Sequence, residues 1–139
     1  MELQDDVGLH YGYFGIDFED KKQKWLVDNV HIYGYPGCVY KNEKQIDAEN
    51  YMYGDSGKWA KESDSENRLR YKIPTSPGQS GSPVYIQEGQ YSYCAVGIHT
   101  NGDIPWNSGV LLSGRVKKTI NLWLKKIHLE ASLASGSKN

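Results

Sequence analysis

This chain of 139 residues is poor in cysteine and phenylalanine, contains no long apolar run, and carries charges that nearly cancel. Its two cysteines, Cys38 and Cys94, permit one intramolecular bridge and exclude a disulfide scaffold. Neither lies in the closely spaced Cys or His pairs that ligate a metal. Cys94 falls in the apolar run Cys94-Ala95-Val96 and reads as a buried free thiol, while Cys38, just after a turn, reads as exposed. A bridge between them is therefore the less favoured reading. No segment is long and apolar enough to cross a bilayer as a helix, and no positively charged start leads into an apolar signal core. Sixteen basic residues stand against 17 acidic ones, so no basic field draws nucleic acid or an anionic membrane. The charges are interspersed, as where Lys21 to Lys24 follow Glu19 and Asp20, and read as a solvated surface. The length suits a single hydrophobic core.

What is present is a glycine-flanked serine, Gly78-Gln79-Ser80-Gly81-Ser82-Pro83. A hydroxyl that attacks a carbonyl creates a negatively charged oxygen, which converging backbone N–H groups stabilise. A glycine two residues before the nucleophile lets the chain turn so that its own N–H and that of the serine face one small hole. Gly78 and Ser80 are the candidate donors, and Ser80 the candidate nucleophile. The string is not the Gly-x-Ser-x-Gly elbow of a strand-to-helix turn, because Ser82 stands in the last glycine position. The apolar runs after it, Val84 to Ile86 and Tyr91 to His99, are strand-like.

Elsewhere the pattern is of short strands. Val30 and Ile32 alternate with His31 and Tyr33 in a stretch beginning at Trp25 and ended by Tyr35-Pro36-Gly37. A hairpin is expected around Gly54-Asp55-Ser56-Gly57, a loop over 61–67, and a strand from Arg68 to Ile73. Short strands with glycine turns at such intervals predict an antiparallel barrel or sandwich. The period then becomes helical, with Val116, Ile120, Trp123, Leu124 and Ile127 on one face, Ser113 as N-cap, and Lys125, Lys126 and His128 near the C-terminal end. That face is expected to pack on the barrel. Eleven tyrosines are read as core and strand filling.

Four blocks in register resemble the glutamyl endopeptidase branch of the chymotrypsin-like serine proteases. They are Ile32-Tyr33-Gly34-Tyr35-Pro36-Gly37, the Gly-Gln-Ser-Gly-Ser-Pro-Val string, Ala95 to Gly102, and Asn107-Ser108-Gly109-Val110, within a stretch from Val7 to Leu124. The resemblance implies an all-β, antiparallel Greek-key six-stranded barrel, the second of two, with a C-terminal α-helix. It divides the chain into a crossover over 1–22, a barrel over 23–112, a closing helix over 113–130 and a disordered tail over 131–139.

By the same resemblance Ser80 is the nucleophile and Gly78 with Ser80 the oxyanion hole. Thr75 and His99 hold the carboxylate of a glutamate side chain, Thr100, Asn101 and Gly102 form the pocket edge along which substrate pairs as a strand, and Gly109 keeps the pocket floor open. A hydroxyl and an imidazole N–H suit a carboxylate. Pro74 stands where a basic side chain would need an acid. The family's basic histidine and its acidic partner belong to a first barrel that this chain does not hold. Asp5 and Asp6 read as linker carboxylates, and His10, His31 and His128 as surface histidines.

The expected activity is thus peptide-bond hydrolysis after an acidic residue through an acyl-enzyme on Ser80, once a first barrel completes the site. The isolated chain is expected to be inactive. No cofactor is implied; the expected partners are peptide or protein substrates and either the first barrel or a second copy covering an exposed face. The resemblance implies an extracellular setting. Two other readings remain: a non-catalytic module binding acidic peptide ends, and a tyrosine-rich binding module whose serine turn is incidental.

Overall fold

A computed structural model describes residues 7–16, 29–48, 50–60, 67–88, 92–102 and 105–136. The expectations resting on Asp5, Asp6, Trp25 to Asp28 and 61–66 lie outside these residues.

A short helix α1 (Val7–Tyr11) leads to β1 (Gly15–Ile16), and then to β2 (Asn29–Gly34), β3 (Cys38–Lys41), β4 (Lys44–Asp47) and β5 (Tyr53–Lys58). After these come β6 (Arg68–Tyr71), β7 (Pro83–Glu88), β8 (Ser92–Asn101), β9 (Asn107–Leu111) and a long helix α2 (Gly114–Gly136). Six strands follow one antiparallel path, β5-β2-β7-β8-β9-β6, and β1 joins β8 in parallel. The path curls until its two ends meet, through a bridge between Trp59 and Tyr71 and the hydrogen bond from Ala60 N–H to Arg70 C=O. This is the expected antiparallel barrel with its C-terminal helix.

Strand alternation explains the core. On β2, Val30 and Ile32 turn inward while Asn29 and Tyr33 face out; on β6, Leu69 and Tyr71 turn inward. With Trp59, Ile73, Val84, Ile86, Val96 and Leu111 they form one apolar cluster. Each fully buried aliphatic side chain there contributes about 1.5–3 kcal/mol by leaving water. The outward residues are not random: Tyr85 on β7 stacks on His31 of β2 at 5.2 Å and meets Phe14, Tyr33 and Tyr93. Among the described residues Tyr71 is the tyrosine in the core, so tyrosine here builds the outer face more than the inner one.

Three expectations change. Gly54 to Gly57 is not a hairpin tip but the body of β5, with Tyr33 opposite Gly54 and Ile32 opposite Asp55. Gly54 is needed there because a side chain would strike the Ile32 carbonyl and the Tyr33 ring. The tight hairpin lies instead at β3–β4, where Asn42 and Glu43 both take positive φ, 51° and 64°. Helix α2 runs to Gly136, taking in residues 131–136 of the expected tail, since Ala131-Ser132-Leu133-Ala134 holds no helix breaker.

The helix face also differs from expectation. Val116, Ile120 and Ile127 are partly covered, but Leu122, Trp123, Leu124 and Leu129 stay exposed, Trp123 at 62%. Ser113 begins the helix through its carbonyl, which accepts from Lys117 N–H; its hydroxyl is drawn to the Asn67 side chain, 3.2 Å away.

A left-handed glutamate at a two-residue turn is strained relative to glycine. Glu43→Gly should relieve about 1–2 kcal/mol of strain against about 0.4–1 kcal/mol for the freer unfolded chain, a net stabilisation of about 0.5–1 kcal/mol. An unchanged or lower urea midpoint contradicts this.

Candidate active site

The loop from Thr75 to Ser82 joins β6 to β7 and is held at nearly every residue. Gly78 takes φ +101°, and a side chain there would run into the backbone of Pro36 and Gly37. That contact is reinforced by Gly37 N–H donating to the Pro77 carbonyl at 3.0 Å. Gln79, only 3% exposed, turns inward. Its Oε1 accepts from Ser76 N–H at 2.7 Å and its Nε2 donates to the Tyr53 carbonyl at 3.0 Å, tying the loop to the start of β5. Gln79 N–H donates to Ser76 C=O, Ser82 N–H to Gln79 C=O, and Gly81 N–H to His99 C=O.

These bonds leave a pattern. Among the described residues, the N–H groups of Gly78 and Ser80 have no backbone acceptor, although those of Gln79, Gly81 and Ser82 do. A short arc thus alternates spoken-for and available donors. Ser80 is exposed, and its hydroxyl donates to the Thr100 carbonyl at 3.1 Å. Among the described residues no imidazole partners that hydroxyl.

Strand β8 collects the other residues singled out in the sequence. His99 exchanges backbone hydrogen bonds with the loop, through its carbonyl to Gly81 and its N–H to Ser82. Register then shifts between His99 and Asn101, leaving Thr100 in a bulge whose hydroxyl reaches the Ser108 carbonyl at 3.4 Å. Gly102 follows beside Thr75, whose Oγ1 is 3.7 Å from where a side chain on Gly102 would begin. Asn107, next to the same glycine, ties β9 to the Ile73 carbonyl at 2.5 Å.

His99 is 2% exposed and meets Tyr71 from β6, with Nδ1 2.6 Å from the hydroxyl. Burial holds the imidazole below its ordinary pKa, and a hydrogen bond to the Ser108 backbone opposes that shift. Burial also pushes the Tyr71 phenol above its ordinary range. Gly109, expected at the pocket floor, lies opposite His99 on β9. The space its side chain would fill is taken by the Ile98 carbonyl and the Tyr71 hydroxyl. Tyr71 and Gln79 are the two residues that sequence reading missed, each being one polar or aromatic residue in a strand or loop with a partner far along the chain.

Among the described residues no three His, Cys, Asp or Glu side chains gather closely enough to hold a metal ion. Cys38 and Cys94 are not joined by a disulfide. No helix among the described residues is long and apolar enough to cross a membrane.

The sequence and fold have relatives. Glutamyl endopeptidase of Bacillus licheniformis is 28% identical over 130 aligned positions, which cover 88% of this chain and 37% of that protein. Extracellular metalloprotease of Bacillus subtilis is 38% identical over 56 positions, 40% of this chain and 18% of that protein. A solved structure of a Glu endopeptidase in complex with MPD superposes with a TM-score of 0.63 at 25% identity, covering 86% of this chain and 50% of the other. No family model matches the chain. The chain has the sequence pattern and fold of the C-terminal region of a chymotrypsin-like glutamyl endopeptidase, and spans half or less of the length of these relatives.

A histidine held neutral by burial makes folding depend on pH. Its folded pKa lies below the unfolded value of about 6.5, so below that pH the unfolded chain binds the extra proton. The stability that neutral His99 contributes is therefore complete above about pH 6.5 and declines as pH falls below it. Urea midpoints compared between about pH 8 and pH 5.5 should show the loss before the carboxylates, near 4, titrate. A flat profile over that window contradicts the buried neutral state.

Proposed function

We propose that this chain is the substrate-binding and nucleophile-bearing half of a serine endopeptidase that cuts after acidic residues. Ser80 attacks the scissile carbonyl, and the N–H groups of Gly78 and Ser80 stabilise the resulting oxyanion. Thr75 and His99 receive the acidic side chain, and Thr100, Asn101 and Gly102 offer the edge along which substrate pairs. The observation that carries this reading is the loop itself, in which Gln79 is tethered inward while the donors on either side of it lack backbone acceptors.

A serine hydroxyl is a weak nucleophile without a histidine base and the acid that orients it. Here the Ser80 hydroxyl donates to a backbone carbonyl instead. The base and acid come from a first barrel, and the exposed apolar residues Leu122, Trp123, Leu124 and Leu129 of α2 are the surface such a partner covers, or through which two copies associate in its absence. The names of the relatives support a proteolytic role and, for one, an extracellular site of action.

The same Ser80–Thr100 contact favours a second reading, a non-catalytic module that keeps the pocket and binds acidic peptide ends.

Two assays separate the readings. The isolated chain should leave a glutamate-P1 peptide intact, and mixing it with the first barrel of a glutamyl endopeptidase should restore cleavage. Ser80→Ala should then reduce the rate by at least about a thousandfold. Cleavage that survives Ser80→Ala, or that favours basic over acidic residues, contradicts the protease reading. Binding of an acidic-ended peptide with no cleavage in any mixture selects the binding module.

A further inference from the structure

Tyr71 and His99 come from different strands, 28 positions apart in the chain, and meet where both are nearly shut off from water. The phenol oxygen lies 2.6 Å from Nδ1. A buried phenol keeps its proton, and among the described residues the partner of this hydroxyl is His99. The proton therefore points to Nδ1, which acts as acceptor. The second partner of the imidazole is the Ser108 backbone; because that interaction favours the protonated ring, the group is the carbonyl, which can only accept. It requires an N–H, and with Nδ1 taken that N–H is Nε2–H. One donor on one side and one acceptor on the other select a single neutral tautomer.

The surroundings preserve this arrangement. Gly109 lies opposite His99 on β9, and any side chain there would begin 3.2 Å from the Tyr71 hydroxyl. The bulge at Thr100 gives the Ser108 carbonyl a second donor, Thr100 Oγ1 at 3.4 Å. If Nε2–H moves to another acceptor, Ser108 keeps a partner.

We propose that Tyr71 is a positioning residue for acidic specificity: its hydroxyl holds His99 with the proton on Nε2, so that the imidazole offers an N–H, and not a lone pair, to a carboxylate. The proposal rests on reading His99 as part of the acidic pocket. An incoming carboxylate is a better acceptor than the Ser108 carbonyl because its bond is charge-assisted. Without the phenol, the Nδ1–H tautomer becomes accessible and turns the Nε2 lone pair toward the anion.

Imidazole nitrogen–proton correlation spectra of the full chain near neutral pH read the tautomer directly, and calorimetry with a peptide ending in glutamate, against its glutamine counterpart, reads the pocket. The wild-type chain should show His99 as Nε2–H with Nδ1 unprotonated. Tyr71→Phe should mix the two tautomers and weaken the glutamate peptide about fivefold, the worth of one hydrogen bond, with the glutamine peptide unaffected. An Nδ1–H signal in the wild type overturns the proposal even if Tyr71→Phe does not fold. So does a folded Tyr71→Phe that keeps both the tautomer and the affinity. An Nε2–H wild type that binds neither peptide supports the assignment of Tyr71 as tautomer-setter and removes the acidic pocket instead, sinking the functional reading and with it the specificity role.

Discussion

The side-chain amide of Gln79 is the constraint on which the site is built. Its oxygen takes the N–H of Ser76 and its nitrogen gives to the carbonyl of Tyr53, so one buried group closes the loop on itself and ties it to the far edge of the barrel. Such a group is held because leaving either end unpaired away from water costs about 1–3 kcal/mol. With Gln79 turned in, Gly78 and Ser80 on either side have their N–H groups without backbone acceptors, and Ser80 stands at the surface. Gly78 completes the geometry by accepting a positive φ in a space where the Pro36-Gly37 backbone excludes a side chain.

A second buried pair, Tyr71 and His99, plays the matching part behind the pocket proposed for an acidic side chain. Both links join residues distant in sequence through strands of the same barrel, and strand β8, which carries His99, also meets the serine loop. Its backbone meets the loop at His99, its bulge presents the Thr100 carbonyl to Ser80, and its end brings Gly102 beside Thr75. The barrel is therefore more than a support: the pairing of β6 with β9, and of β9 with β8 at the side-chain-free Gly109, is what brings the Tyr71 hydroxyl to His99.

Local chemistry was legible in the sequence and long-range pairing was not. The strands on either side of the serine loop, the alternation of Val30 and Ile32, and the helical period from Val116 all follow from spacing over a few residues. The β3–β4 hairpin was missed because its turn uses Asn42 and Glu43 where glycine normally signals left-handed backbone. Gly54 and Gly57 were misread in the opposite sense, as turn formers, when Gly54 answers to close pairing with β2 and Gly57 to packing against the Ile73 side chain. Tyr71 and the inward tether of Gln79 carry no local signal, since His99 lies 28 positions from the one and Tyr53 26 from the other. The exposed apolar residues of α2 take in Trp123 and Leu124 of the expected stripe but also Leu122 and Leu129, and what they face is not written in the helical period.

The central claim is that Gly78 and Ser80 present converging donors to an oxyanion, with Gln79 held out of the way. The most direct test follows the backbone amide resonances of residues 78 to 80 while the chain is titrated with a peptide boronate bearing a glutamate-like side chain, whose tetrahedral anion mimics the intermediate. The Gly78 and Ser80 amides should move together, and the Gln79 amide, already bound to Ser76, should stay still. Movement of Gln79 alone, or no movement of any of the three at saturation, would contradict the claim.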